Sequence, residues 1–578
     1  MARGTTWPGA DRSAAPPPTV GGVDRLLLVG LGLATFVAVV VWMTGQVAAL
    51  VSHGRWLPTT VADVASIMGR LPSHAGDPGD AWPAAAQGEL PAAPWLYGIA
   101  AVITALLGAA VLAGAKAAAA AQRRRPNGLG RPARGAHWAG GHELAHLDAR
   151  RRPGRAGARR VVLGKVGRRL IALEQRHSVL VLGPTQSGKT TALAIPALLE
   201  WDGPVVATSV KGDLVAHTRA YRQSLGRAWV FDPTGTAGAG PTARWSPLVE
   251  ADTWSGAQRV ANALVDAAPA QGGLSDGAFW FAASTKLLAP LLLAAARAGR
   301  SMTDVVRWTN LQETEEVHRV LTDFGEPEAV EALYASAGRD ERIRSSIYTT
   351  LETVLAPYED PVVGRSAEEP DFDPGLFLEG RNTLYLCGPA HEQARVQGVF
   401  SALVGSIVHA AAARHHLLGR PLDPPLLLVL DEVANIAPIK ELGTLASTGA
   451  EMGMQLVTVC QDLAQLSTRY GPERCRTIAN NHRAKVILSG IADIGTLDTV
   501  SGLAGEQAVR EVTETSDLRE GRHSRSSAIA YRRLAPADEL RRIKPGEAVL
   551  IYGHLPPARL VLRPWYSDRQ LTRRATRD

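Results

Sequence analysis

The sequence predicts an α/β domain built on a largely parallel sheet with helices on both faces. An all-α insertion interrupts it, and two transmembrane helices precede it. Three observations carry this expectation. Two charge-free apolar runs lie within the first 115 residues. Short apolar runs alternate with helical patterns from residue 177 onward, which is the signature of a doubly covered parallel sheet. Residues 254–375 carry helical periodicity and no strand-like run.

The two apolar runs come first in the chain. Residues 26–52 and 90–115 hold no Asp, Glu, Lys or Arg. A bilayer core needs about 20 apolar residues in a helix, and a secretory signal has an apolar stretch of only about 7–15, so both runs read as spans. Arg123, Arg124, Arg125, Arg131 and Arg134 follow the second run, whereas the connecting loop sets Arg55 and Arg70 against Asp63, Asp77, Asp80 and Glu89. The positive-inside rule then places the loop outside and both termini in the cytoplasm. Residues 1–22 read as a disordered tail, 23–122 as a two-helix anchor and 123–172 as a basic juxtamembrane linker.

Charge is concentrated in that linker. The 578-residue chain carries 62 basic and 55 acidic residues, a net +7, and 54 of the basic residues are Arg. Residues 123–172 hold 14 basic and 2 acidic residues, so the rest of the chain is net negative. Contact with anionic lipid head groups accounts for the basic stretch without invoking nucleic acid. Cys387, Cys460 and Cys475 form no paired pattern, which excludes a disulfide framework and fits a reducing compartment. Within the linker, "GHELAHL" matches His-Glu-x-x-His. On a helix, His142 and His146 would share a face, with Glu143 as base, but a zinc site needs a further ligand and a cleft. A short polar helix is the simpler expectation.

The nucleotide-binding domain is expected at 173–253 and 376–568. "VLVLGPTQSGKTTAL" (179–193) places a buried strand before, and a helix after, the pattern G-x-x-x-x-G-K-[ST]. Gly183, Pro184, Thr185, Gln186, Ser187, Gly188, Lys189, Thr190 and Thr191 form the loop. Its backbone N–H groups and the helix N-terminus suit phosphates. Lys189 is expected on the β- and γ-phosphates of ATP, and Thr190 on Mg²⁺. "PPLLLVLDEV" (424–433) is a buried strand ending in two carboxylates: Asp431 for Mg²⁺, and Glu432 as the base that orients the attacking water. "MQLVTVCQD" (454–462) is a further strand ending at Gln461, the position that senses the γ-phosphate in RecA-like motors. "PVVATS", "AWVFDP", "NTLYLCGP", "AKVILSG" and "EAVLIYG" complete the sheet. Residues 569–578 read as a tail.

In this order the parts resemble one family, the conjugative coupling proteins of type IV secretion (TraG/TraD-like). The likeness runs from about residue 22 to 568. It rests on the two spans, "GPTQSGKTT", "VKGD", "FDPTG", "RWSPL", the "FW" that opens the insertion, "LYLCGP", "LVLDEVANIAP", "VTVCQDLAQL", "NNHRAKVILSG" and "LRPWYSD". The resemblance implies a RecA-like P-loop NTPase in the bacterial inner membrane, assembling as a homo-hexamer. It would receive relaxosome DNA with its relaxase and drive single-stranded DNA toward the components of the secretion channel. The insertion (254–375) would dock cargo.

One departure stands out. Between Glu432 and Gln461, where the family offers an Arg to a neighbour's γ-phosphate, "STGAEMGMQ" holds Ala450 and Glu451. Arg474, Arg476 and Arg483 are the candidate replacements. "REGRHSRSSAIAYRR" (519–533) is basic and reads as a solvated loop, with a phosphate-tracking pore loop as the alternative. An FtsK-like double-stranded DNA translocase and a non-hydrolysing docking receptor are the alternative functions.

Overall fold

The computed structural model describes residues 22–124, 135–151, 159–210, 212–236, 238, 242–268, 277–517 and 522–577. The expected N-terminal tail lies outside the described residues. The chain divides into two units, with the boundary between Pro132 and Ala133.

The first unit is helical. Helices Gly22–His53 and Ala93–Arg124 contain 22-residue windows of mean hydropathy 1.9 and 2.3, of which only 28% and 11% is buried. They are long and apolar enough to cross a membrane. The connecting segment is ordered rather than an open loop. Gln46 on the first helix exchanges hydrogen bonds with the backbone of Leu57, donating to its O at 3.1 Å and accepting from its N at 3.1 Å. Helix Val61–Arg70 contributes Ile67 to a small core with Ala48, Leu57, Trp82 and Leu96.

The second unit is built on an 11-stranded sheet. Its strands are β1 (Val162–Val166), β2 (Arg169–Ala172), β3 (Val179–Leu182), β4 (Val205–Ser209), β5 (Ala228–Phe231), β6 (Thr383–Cys387), β7 (Leu426–Leu430), β8 (Met454–Cys460) and β9 (Ala484–Leu488), and, beyond a separate ribbon of β10 (Glu506–Asp517) and β11 (Arg522–Arg533), β12 (Glu547–Tyr552) and β13 (Ala558–Val561). The spatial order is β2-β1-β13-β12-β9-β3-β8-β7-β4-β6-β5. From β9 to β5 every pairing is parallel; from β9 to β2 every pairing is antiparallel. The parallel strands are apolar on both faces because helices cover both. β7 and β8 are buried at every position.

Between β5 and β6 every described element is helical, from Trp254–Ala267 to Pro374–Phe377. Helix Gly277–Arg297 is central to this group, and Leu287, Leu288, Leu291 and Leu292 are buried in it. It and helix Gln393–Leu418 also have the length and apolarity of spans. Their windows are 61% buried, so packing within the core accounts for their composition.

Three segments differ from the sequence reading. Residues 162–172, read as linker, form β1 and β2 at the sheet edge. These strands are short, and Gly164 interrupts the alternation that would mark them. Residues 569–578, read as a tail, contain helix Arg569–Ala575. Asp568 caps it by accepting from Gln570 N at 3.0 Å, and Leu571 is buried. From Arg522 the basic segment is β11, paired with β10 in unbroken register from Glu506↔Arg533 to Asp517↔Arg522. β-Branched residues in β10 support the pairing, whereas charge dominated the reading of the sequence. Residues 519–521 lie outside the described residues.

Candidate active site

β8 lies between β3 and β7, so the segments that leave the C-terminal ends of these three strands converge. The loop after β3 carries Gly183–Thr191. Its turn uses Gln186 and Gly188 at φ 63° and 93°, a region open to glycine and strained for glutamine. A π-helical turn, Thr190–Ala194, follows and leads into helix Ile195–Glu200.

The two halves of the site meet directly. Thr190 Oγ1 donates to Asp431 Oδ2 at 3.0 Å. β4 braces the acid from the other side, where Thr208 Oγ1 donates to the Asp431 carbonyl at 2.8 Å. Lys189 Nζ donates to Gly183 O at 2.6 Å, folding back over its own loop. Burial holds the Lys189 ammonium below its usual range, and Asp431 and Glu432 act in the opposite sense. Burial pushes the Asp431 carboxyl up, against hydrogen bonding from Thr190 and the charge of Lys189. Glu432 takes left-handed backbone, φ 53°, at the start of helix Val433–Ile436. Outliers of this kind persist where the surroundings over-determine them.

A cavity of ≈ 250 Å³ opens over this junction. Thr185, Gln186, Gly188, Lys189, Thr190, Thr191, Asp431 and Glu432 line it, as the sequence reading grouped them. Gly183, Pro184 and Ser187 shape the loop from behind. Gly183 N donates to Cys460 O at 3.2 Å, and Ser187 Oγ to Pro184 O at 2.7 Å. Gln461 follows β8, half-buried, and is not among the lining residues. The lining also includes Ser209 and Asp213, which the sequence reading did not single out. Their signal was "TSVKGD", a strand end followed by a helix start. Ser209 Oγ accepts from Gly212 N at 3.2 Å, and Asp213 opens helix Asp213–Gln223.

The donor set fits a hard divalent cation. A hydroxyl and a carboxylate sit 3.0 Å apart beside a loop shaped for phosphate. His142 and His146 show no comparable arrangement. Their segment is a turn followed by the 3₁₀ turn Ala145–Leu147, and Glu143 accepts from Gly140 N at 2.7 Å and contacts His137 Nε2 at 2.8 Å. Among the described residues no group of three His, Cys, Asp or Glu is placed to hold a metal.

Residues 138–578 match the family described as Type IV secretory system Conjugative DNA transfer. The chain belongs to that family. Conjugal transfer protein TraG of Escherichia coli is 27% identical over 422 residues, covering 66% of this chain and 64% of TraG. Protein VirD4 of Agrobacterium fabrum is 26% identical over 457 residues, covering 76% of this chain and 66% of VirD4. The chain thus spans a little under two thirds of these relatives' length. Among solved structures, the plasmid coupling protein TrwB in complex with the ATP analogue ADPNP, and TrwB with ADP and Mg²⁺, each align with a TM-score of 0.57 at 20% identity. Each covers 76% of this chain and 96% of TrwB. That likeness establishes the fold, a RecA-like NTPase domain with an all-α domain.

Among the described residues no Arg lines the cleft. Of the positions weighed from sequence, Arg474 lines a cavity with Asp266 and Tyr470. Arg476 is exposed on helix Pro472–Asn481. Arg483 and Ala450 line one cavity at the N-terminal end of β3, away from the cleft.

Proposed function

We propose that this protein is a membrane-anchored ATPase that couples relaxosome DNA and its relaxase to a type IV secretion channel and drives single-stranded DNA transfer. One observation carries the reading: the 3.0 Å contact between the Thr190 hydroxyl and the Asp431 carboxylate, with Lys189 and Glu432 in the same cleft. In TrwB such a fold holds ADPNP, and ADP with Mg²⁺.

Each residue then has a task. Backbone N–H groups of the loop bind phosphate oxygens, and Lys189 leaves Gly183 O to reach the β- and γ-phosphates. Thr190 and Asp431 hold Mg²⁺, which when bound neutralises charge on the phosphates. Glu432 accepts a hydrogen bond from the attacking water and aims it at the γ-phosphorus. Gln461, opposite Gly183 at the end of β8, reports the state of the γ-phosphate to the sheet. Six copies forming a ring would give the strand a path. The apolar helices Gly22–His53 and Ala93–Arg124 anchor each copy in the inner membrane with both termini cytoplasmic.

The test is ATP turnover and strand transfer by Lys189→Ala and Glu432→Gln. Both should lose turnover by 10²-fold or more and lose transfer, while fractionating with membranes as the parent does. Normal transfer by either variant refutes the reading. A second reading, a non-hydrolysing docking receptor, draws on the lack of an Arg among the described residues that line the cleft. No turnover by the parent chain with single-stranded DNA, at concentrations where it oligomerises, would favour it.

A further inference from the structure

At the opposite end of β3 from the nucleotide cleft lies a second cavity, ≈ 490 Å³, where β3 and β9 begin. Four residues of β3, roughly 13 Å at the usual rise per residue, separate the two sites. Arg176, Arg483 and Lys485 line this cavity, and no Asp or Glu does. Among the described residues the side chains of Arg176 and Arg483 make no hydrogen bond or ion pair, and both are exposed. Arg176 projects from the turn between β2 and β3, in left-handed backbone at φ 67°. The Arg483 guanidinium lies flat against Gly553, where a Cβ would stand 3.3 Å from its Nε. It rests against backbone on one face and is exposed to solvent on the other.

Neutral donors complete the lining. Ser178, 2% exposed, is among the lining residues, and its Oγ is buried without a partner. A buried hydroxyl in that state lacks the acceptor that such groups almost always have. Lys485 is half-buried. Its ammonium donates to His482 O at 2.8 Å, which leaves two N–H bonds for another acceptor. Burial holds that ammonium below its usual range, the condition a bound anion would reverse. No Phe, Tyr or Trp lines the cavity, and its one ring, His177, is engaged by Glu174 at 3.2 Å and by the Tyr552 ring, so cations outnumber stacking surfaces. What it offers is three cations bordering one volume, with a buried hydroxyl at its base, the chemistry of a phosphate oxyanion.

We propose that this cavity is a second phosphate-binding site, taking one phosphate group from the backbone of a nucleic-acid strand or from a nucleotide. It reads phosphate and not base, and it works independently of ATP turnover at the first cleft. Its charge lies in the domain core, which is net negative outside the juxtamembrane stretch, so it is a local device and not a by-product of composition.

The experiment uses the full chain in detergent, with Arg176→Glu/Arg483→Glu as the main variant and Ser178→Ala as the mild one. Fluorescence anisotropy of a labelled single-stranded oligonucleotide is followed across a salt series, with inorganic phosphate as competitor. The charge reversal should weaken oligonucleotide binding tenfold or more and lower the salt slope by about 1 to 2. ATP binding at the first cleft should be unchanged. Lys189→Ala should show the reverse pattern, and Ser178→Ala should weaken phosphate competition without altering the salt slope. If oligonucleotide binding is untouched but calorimetry on the Lys189→Ala chain shows phosphate or ADP binding that the charge reversal removes, the site stands and its source is a nucleotide. If neither oligonucleotide nor phosphate binding responds to any of the three cavity substitutions, the site is overturned. ATP turnover by the parent is scored separately, so failure here leaves the ATPase reading standing.

Discussion

Arg222 is fully buried in helix Asp213–Gln223, and its guanidinium bonds to backbone rather than to an acid. Nε donates to Thr383 Oγ1 at 2.7 Å, and the terminal nitrogens donate to Trp201 O at 2.6 Å, Gly203 O at 2.7 Å and Arg381 O at 3.0 Å. Burial lowers its pKa to about 10, still well above neutrality. The residue ties the end of the loop-bearing helix to the edges of β4 and β6. Arg222→Leu should strand several carbonyls at about 1–3 kcal/mol each. A loss of about 3 kcal/mol or more should follow, read as a fall in denaturation midpoint. His482 is the complementary case. Its Nδ1 donates to Ile478 O at 2.7 Å and its Nε2 accepts from Thr458 Oγ1 at 2.8 Å, so the buried ring is neutral. Burial depresses its pKa to about 4, below the unfolded value near 6.5. Its contribution is therefore fully present above about pH 6.5 and is lost as pH falls toward 4. Thermal midpoints at pH 7.5 and 5.0 should show this sensitivity in the parent and a smaller one in His482→Asn.

At the scale of elements, the C-terminal helix Arg569–Ala575 is an anchor. Arg574 donates to Leu199 O at 2.6 Å, on the helix that follows the phosphate loop, and Leu571 is 1% exposed. Nearby, Arg563 is 7% exposed and pairs with Glu200 and Asp568. Truncation after Asp568 should cost about 2–4 kcal/mol, from the burial of one Leu and one hydrogen bond. It should also raise the KM for ATP; a neutral truncation would show the helix to be dispensable. In the insertion, Ser301 and Asp304 form a reciprocal cap, with Ser301 N donating to Asp304 Oδ2 at 2.9 Å and Asp304 N to Ser301 Oγ at 3.3 Å. Ser301→Ala should cost about 1 kcal/mol with turnover unaltered. These elements also mark where sequence reading stops. The eight expected strands were legible because each is a continuous apolar run, and Gly183–Thr191 with Asp431 because loop and strand end are contiguous in the chain. β1, β2 and β13 are short strands at one side of the sheet that alternate or contain Gly, and β1 is joined to β13 only by a pairing, Lys165 with Val561, across hundreds of residues. Ser209 and Asp213 enter the cleft only because β4 lies beside β7, a fact of topology that no local pattern encodes.

For the whole molecule, the sheet is asymmetric by design. Seven parallel strands carry the cleft, and four antiparallel strands close one side. The proposed orientation, with the basic juxtamembrane stretch inside, sets the second unit in the cytoplasm and is open to test. A reporter fused after residue 578 should be active only as a cytoplasmic fusion, and one placed between residues 71 and 92 only as an external one. The helical insertion enters after β5 and returns at β6, and these two strands are hydrogen-bonded neighbours, with Ala228 opposite Thr383. Because the two strands are parallel, the exit from β5 and the entry to β6 lie at opposite ends of the ladder, but the flanking segments meet where Asp371 N donates to Arg244 O at 3.0 Å. A foreign helical bundle with equally close termini can be spliced between Arg244 and Asp371 without breaking a ladder, and such a transplant tests whether the insertion or the sheet selects the cargo of the proposed ATPase.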